Sequence, residues 1–399
     1  MTSRLLLIFV LVGLTLVACS DDDENGDAPL TDAGYDDVAA VGQDVDEDVA
    51  EDVGDDELAQ CELFDEHGPF EVGVIDIADG ELEAAIFYPA TDEAGEMARF
   101  SYDLRQWLPE DDRDTIPDDD APHFEVNAAV DAEAAPGPFP VVLFSHGLAG
   151  YRYQSSTLLA HLASWGFVVA SAEHVERNLG RIVGELTPDG DNAAETLRTL
   201  VDYLDDAHDD ASHQLAGRLD LGRVAATGHS MGGAGAVSMV GEPGVQAGIF
   251  YASGPNLAAD QERLDARLLW MAGSTDRIIP PSTIEGAYEL EEAPKSYLEI
   301  LQAGHLAFSD ICAIGADQGG ILQIAVDAGI EVNPLLLQLG NDGCRDTDLP
   351  VEDAWPIIHH YSVAHLRHSF GLDDEPTGLD EEVPECFAHL TEVTWRAGD

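Results

Sequence analysis

The sequence predicts an α/β fold, a mostly parallel central sheet with helices on both faces. Three observations predict it. Short apolar runs alternate with helix-length segments between residues 140 and 301, and such alternation implies crossover connections and parallel pairing. Gly228-His229-Ser230-Met231-Gly232 is a G-x-S-x-G turn between a strand-like run at 223–227 and a small-residue helix beginning near Ala234. Asp276 and His305 then follow, each just after a further apolar run. All three residues therefore fall at the carboxyl edge of the sheet, where open α/β sheets carry their ligand sites.

The elements follow in order. Residues 70–77 and 82–88 alternate or cluster as strands and form an N-terminal hairpin. Residues 89–137, punctuated by Trp107, Pro109, Pro117, Pro122 and Pro136, read as irregular loop. Then come a strand at 140–145, a helix near 155–165, a strand at 167–172, a helix near 192–207 and the strand before the G-x-S-x-G turn. After the helix that follows Ser230, strands are expected at 247–251, 268–271 and 297–301. An apolar, glycine-rich insertion at about 309–355 precedes a terminal helix at 356–370. Its place at the carboxyl edge fits either a lid or pocket wall, or a helix pair that only packs. The terminal helix carries His359, His360, His365 and His368 without a carboxylate or cysteine at ligand spacing, so no metal is expected there.

The G-x-S-x-G turn points to nucleophilic chemistry for a steric reason. A serine lifted on a sharp strand-to-helix turn must adopt a strained backbone, and glycine-sized neighbours at 228 and 232 let the chain close around it. The helix that follows aims backbone N–H groups at a developing oxyanion. The order serine, acid, histidine is that of the α/β-hydrolase arrangement, in which each residue sits on a loop after a strand. Ser230 is thus the expected nucleophile, His305 the base and Asp276 the acid. Ester hydrolysis by such a set needs no cofactor.

Composition bounds the partners. The chain has 399 residues, 45% of them hydrophobic, ample for a sizeable core. Its 79 acidic residues against 17 basic ones give a formal charge of -62, and Lys295 is its one lysine. Such a surface repels nucleic acid and anionic bilayers, so neither is expected as a direct electrostatic partner. The excess charge fits adaptation to salty surroundings, where repulsion is screened, or plain solubility through net charge.

The N-terminus reads as a targeting segment. Arg4 supplies the positive region, residues 5–17 an apolar stretch too short for a comfortable transmembrane helix, and Leu16-Val17-Ala18-Cys19 resembles a bacterial lipobox. Residues 1–19 are then a lipoprotein signal, with Cys19 as the lipidated residue. An ordinary cleaved signal is the alternative. Residues 20–60 form an acidic tether whose 21–57 stretch holds 17 acidic and no basic residues, too polar to bury a core. The folded domain is expected at 61–399. This implies an exported protein of a bacterial cell envelope, held to the membrane through its lipid, the outer membrane favoured by Ser20; secretion is the alternative. Cys61, Cys312, Cys344 and Cys386 remain for disulfides and allow three pairings. The favoured set is Cys312 with Cys344 across the insertion and Cys61 with Cys386.

The segment Phe139-Pro140-Val141-Val142-Leu143-Phe144-Ser145-His146-Gly147-Leu148, continuing to Ala172-Glu173-His174, resembles the platelet-activating-factor acetylhydrolases and the bacterial dienelactone-hydrolase-like and polyester-hydrolase-like esterases. The similarity continues through residues 228–233 and 304–310. The resemblance implies an α/β-hydrolase fold, carboxylic ester substrates, and an oxyanion hole made by the backbone N–H groups of Leu148 and Met231. One departure matters. The acetylhydrolases carry their acid after the strand that follows the elbow helix, and residues 248–252 here offer none. Asp276, one strand later, matches the bacterial esterases. A non-catalytic surface-binding lipoprotein on the same fold and an acyltransferase are the alternative functions, since fold alone does not choose chemistry or acyl group.

Overall fold

The structure is a computed structural model that describes residues 63–185, 190, 192–259, 261, 265–292, 294–332 and 334–398. The expected signal, Cys19, the acidic tether and Cys61 lie outside the described residues.

One 11-stranded sheet organises them. Its strands are β1 (Glu71–Asp79), β2 (Leu82–Ala90), β3 (Arg99–Asp103), β4 (His123–Val130), β5 (Phe139–Ser145), β6 (Val168–Ala172), β7 (Leu219–His229), β8 (Val245–Tyr251), β9 (Arg267–Gly273), β10 (Lys295–Ile300) and β11 (Val393–Gly398). Their spatial order is β11-β10-β9-β8-β7-β5-β6-β2-β1-β4-β3. The run from β6 through β5, β7, β8 and β9 to β10 is parallel throughout. Both flanks depart from the expected mostly parallel sheet: β2 runs antiparallel to β6 and β1, β3 to β4, and β11 to β10. The cause at the first flank is loop length. Gly80, with φ 61, turns the chain between Asp79 and Leu82, and so short a connection can join only antiparallel neighbours.

Alternation along the central strands decides which face each residue joins, because successive side chains point to opposite sides. Val142 and Phe144 of β5 enter a core with Leu158, Leu159 and Leu162 of the helix Ser156–Ser164 and with Ile357, Ile358 and Tyr361 of the helix Val351–Ser369. Val141 and Leu143 enter the opposite core with Leu197, Leu200 and Leu204 of the helix Ala193–Asp209. Burial on both sides is what made these strands continuous apolar runs in sequence. In the helix, spacings of three and four residues place the three leucines on one stripe.

Two expectations are corrected. Residues 89–137 are not all loop but hold β3 and β4; an edge strand tolerates nearby prolines and charged side chains because one side needs no ladder. The terminal helix begins at Val351 behind the cap Pro350, so Pro356 lies inside it rather than at its start. Its histidines serve packing and tethering: His360 accepts the Phe64 N–H at Nδ1 (2.9 Å) and donates from Nε2 to the Gly378 carbonyl (2.8 Å), and His359 stacks on His161.

Cys312 and Cys344 are joined by a disulfide, which closes the neck of the insertion. Cys386 is also disulfide-bonded. No helix among the described residues is long and apolar enough to cross a membrane.

Candidate active site

Ser230 follows β7 directly and precedes the helix Gly232–Val237. Its φ is 55, the left-handed region that a non-glycine residue occupies only under constraint. The constraint comes from both sides. The Ser230 N–H donates to the Tyr251 carbonyl (2.9 Å), and the Ser253 hydroxyl donates to the Ser230 carbonyl (2.7 Å). A Cβ on Gly228 would lie 2.4 Å from the backbone of Gly232, and one on Gly232 would lie 1.9 Å from the Ser145 carbonyl oxygen. No larger residue fits either position.

His305 lies between Ser230 and Asp276. Its Nε2 stands 2.9 Å from the Ser230 Oγ and its Nδ1 2.8 Å from the Asp276 Oδ2. The Asp276 carboxylate takes two further N–H groups on Oδ1, from Ile278 and Ile279, each at 2.8 Å. An ionised carboxylate can only accept, so the imidazole proton sits on Nδ1 and the Nε2 lone pair faces the serine hydroxyl. Asp276 and His305 are both buried. Water therefore competes little for these bonds.

The loop after β5 passes over the serine. A Cβ on Gly147 would lie 3.2 Å from the Ser230 Cβ. Neither the Leu148 N–H nor the Met231 N–H donates to another group among the described residues. The loop is held from below by Arg177, whose buried guanidinium donates to the Ser145 Oγ (2.9 Å) and the His146 carbonyl (2.9 Å). Burial, helped by that guanidinium, pushes His146 down to about 3. Neutral His146 accepts the His174 N–H at Nε2 and donates from Nδ1 to the Gly147 carbonyl.

The insertion reaches this centre in two ways. Ile321, Ile324 and Leu336 line an apolar cavity of about 120 Å³ whose wall also includes Leu104, Leu148 and Leu306. Sequence reasoning missed the second way. The buried Asp342 carboxylate accepts the His305 N–H at Oδ1 (3.0 Å) and the Arg277 N–H at Oδ2 (3.2 Å), so one side chain spans both loops that carry Asp276 and His305. Its local signal, Asn341-Asp342-Gly343, reads as a turn. Asp310, the nearest other acid in sequence to His305, caps a helix instead. It accepts the Ser156 hydroxyl (2.6 Å) and the Thr157 N–H (3.1 Å), and burial pushes its carboxyl up to about 7.

Residues 123–181 match the family model described as platelet-activating factor acetylhydrolase, isoform II. That stretch runs from β4 through the loop at 146–148 and β6 to Arg181, and ends before Ser230. Among curated proteins the chain finds no match. The chain is an α/β-hydrolase by fold, similar over residues 123–181 to the platelet-activating factor acetylhydrolase family, and the likeness supports a serine-type ester hydrolase in general.

Proposed function

We propose that the chain hydrolyses carboxylic esters through an acyl-enzyme on Ser230. The observation that carries this reading is the hydrogen-bonded series Ser230, His305, Asp276 at 2.9 and 2.8 Å. His305 takes the Ser230 proton as Oγ attacks the ester carbonyl, and Asp276 holds the imidazole in the required tautomer and stabilises its charged form. The Leu148 and Met231 amides receive the oxyanion. Collapse of the tetrahedral species expels the alcohol with the proton from His305; water, deprotonated in turn by His305, then releases the acid. The apolar cavity beside Leu148 and Leu306 suits an uncharged acyl group. A cavity of roughly 150 Å³ admits benzene, so the slightly smaller one here fits acyl groups of about four to six carbons. Lipidation at Cys19, with the acidic tether as spacer, would hold this domain at an envelope membrane.

The test uses p-nitrophenyl butyrate and the full chain. Ser230→Ala is expected to abolish turnover with stability within about 1 kcal/mol of the parent, since among the described residues the hydroxyl's one contact is its hydrogen bond to His305. Asp276→Asn should lower kcat by roughly 10⁴-fold with KM little changed, as tautomer control is lost. Turnover retained by Ser230→Ala would end the reading.

A further inference from the structure

A second buried series runs beneath the proposed catalytic residues. Gln154 lies in the turn before the helix Ser156–Ser164 and is 1% exposed. Its Oε1 accepts the Gly147 N–H (3.2 Å), and its Nε2 donates to the His229 Nδ1 (2.7 Å). The other nitrogen of His229, Nε2, lies 3.0 Å from the His305 carbonyl oxygen. Three loops meet here: the one over the serine, the elbow itself, and the one that carries His305.

The polarity of each contact is fixed by its neighbour. Burial, with a smaller contribution from His305, pushes His229 down to about 3, so its ring is neutral near pH 7 and carries one proton. A carbonyl can only accept, so that proton sits on Nε2 and Nδ1 is left as an acceptor. The Gln154 amide can satisfy an N–H on one side and a lone pair on the other in one orientation only. Flipping it would set NH₂ against the Gly147 N–H. Gln154 is itself anchored: its N–H donates to the Tyr151 carbonyl (2.9 Å) and its carbonyl accepts the Asp310 N–H (2.8 Å). The surrounding glycines leave space for it, since a Cβ on Gly150 would lie 2.0 Å from Oε1 and one on Gly147 3.3 Å from the His229 Nδ1.

We propose that Gln154 is a positioning residue for acyl transfer: through Gly147 and His229 it sets the gap between the Leu148 N–H and the Ser230 Oγ and ties both to the His305 loop. The inference rests on the ester-hydrolase reading above. Its effect belongs to the transition state, because the Leu148 N–H is useful only where the tetrahedral oxyanion forms, and the ground-state carbonyl gains little from it.

The experiment compares the full-length wild type with Gln154→Met, Gln154→Glu and Ser230→Ala. Turnover of p-nitrophenyl butyrate, inhibition by an aliphatic trifluoromethyl ketone, which forms a tetrahedral oxyanion on a serine, and the thermal midpoint are measured on each. Gln154→Met removes both polar contacts at nearly constant length. It is expected to lower kcat about 10- to 100-fold, part of what loss of a whole oxyanion donor costs, with KM within about twofold. Ketone affinity should fall by a similar factor. Gln154→Glu keeps the acceptor for Gly147 and turns an oxygen toward the His229 lone pair. It is expected to show the same split between kcat and KM, and it decides the matter if the methionine variant does not fold. Wild-type kcat in a folded variant, or a fall in kcat with ketone affinity unchanged, overturns the positioning role. Full turnover by Ser230→Ala would instead remove the ester-hydrolase reading and this inference with it, so the two failures are told apart.

Discussion

Asp310 separates two roles that a carboxylate near a histidine loop can play. Asp276 keeps three hydrogen-bond donors, two of them backbone N–H groups and the third the His305 ring, whereas Asp310 has a helix start and, among the described residues, no ion pair. Desolvation therefore dominates and its carboxyl rises from 3.8 to about 7. An acid with a folded pKa above its unfolded value binds a proton more tightly in the native state. Its stabilising contribution is complete below about pH 4 and is lost as pH rises through about 7. Asp310→Asn keeps an acceptor for Ser156 and Thr157 and cannot ionise. Its urea midpoint is expected to exceed that of the parent at about pH 8 and to approach it at about pH 4; a difference that does not change with pH would refute this. At the same scale, Ser230, Asp276 and His305 were legible because each stands at the end of an apolar run in a fixed order. Gln154 and Asp342 were not. Gln154 reaches His229 75 residues away and Asp342 reaches His305 37 residues away, and neither sits in a local pattern that marks such a contact.

Among the elements, those buried on both faces wrote themselves into the sequence as apolar runs, and β5 to β10 stand close to where hydropathy sets them. The flanks did not. β3, Arg99-Phe100-Ser101-Tyr102-Asp103, is only five residues long inside a stretch punctuated by prolines, and β11, Val393-Thr394-Trp395-Arg396-Ala397-Gly398, ends in glycine; each alternates, but over too few residues to stand out. The helices Ile321–Asp327 and Pro334–Leu339 fit the helix pair that the sequence offered for the insertion, but their bounds were not legible, because they are short and flanked by glycines. Their contribution to the cavity wall gives a direct measurement. Ile324→Trp adds bulk where the wall meets the proposed acyl group. It should cut kcat/KM for p-nitrophenyl butyrate and longer esters at least tenfold while sparing the acetate, because even one missing or excess methylene in a pocket is worth about 10- to 200-fold. A uniform loss across the series would place the cavity outside the substrate's path.

Across the whole molecule, the formal charge of -62 works against compaction. Basic groups are few and many are engaged: Arg152 pairs with Asp76 and Glu173, Arg367 with Asp373, and Arg345 with Asp342 and Asp348. The unpaired carboxylates mostly face solvent, where their repulsion is sensitive to salt. The Debye length falls from about 10 Å at 0.1 M to about 3 Å at 1 M, which removes most of that repulsion. The thermal midpoint is therefore expected to rise by several degrees between about 0.1 and 1 M sodium chloride. A flat response in differential scanning calorimetry would show that the surface charge is already accommodated.

The strand order also has a temporal side. Ser230, Asp276 and His305 hang on β7, β9 and β10, and Asp342 must return from the insertion to hold the last two. Those residues lie within 219–342, and the loop that carries Leu148 comes from β5, earlier in the chain. Parallel pairings joined by long crossovers are slow to form, because the loops must close before the contacts reward them. A growing chain that has not yet reached residue 305 holds Ser230 without its histidine partner. The proposed catalytic arrangement is complete only once β10 has joined the sheet and brought His305 beside the elbow.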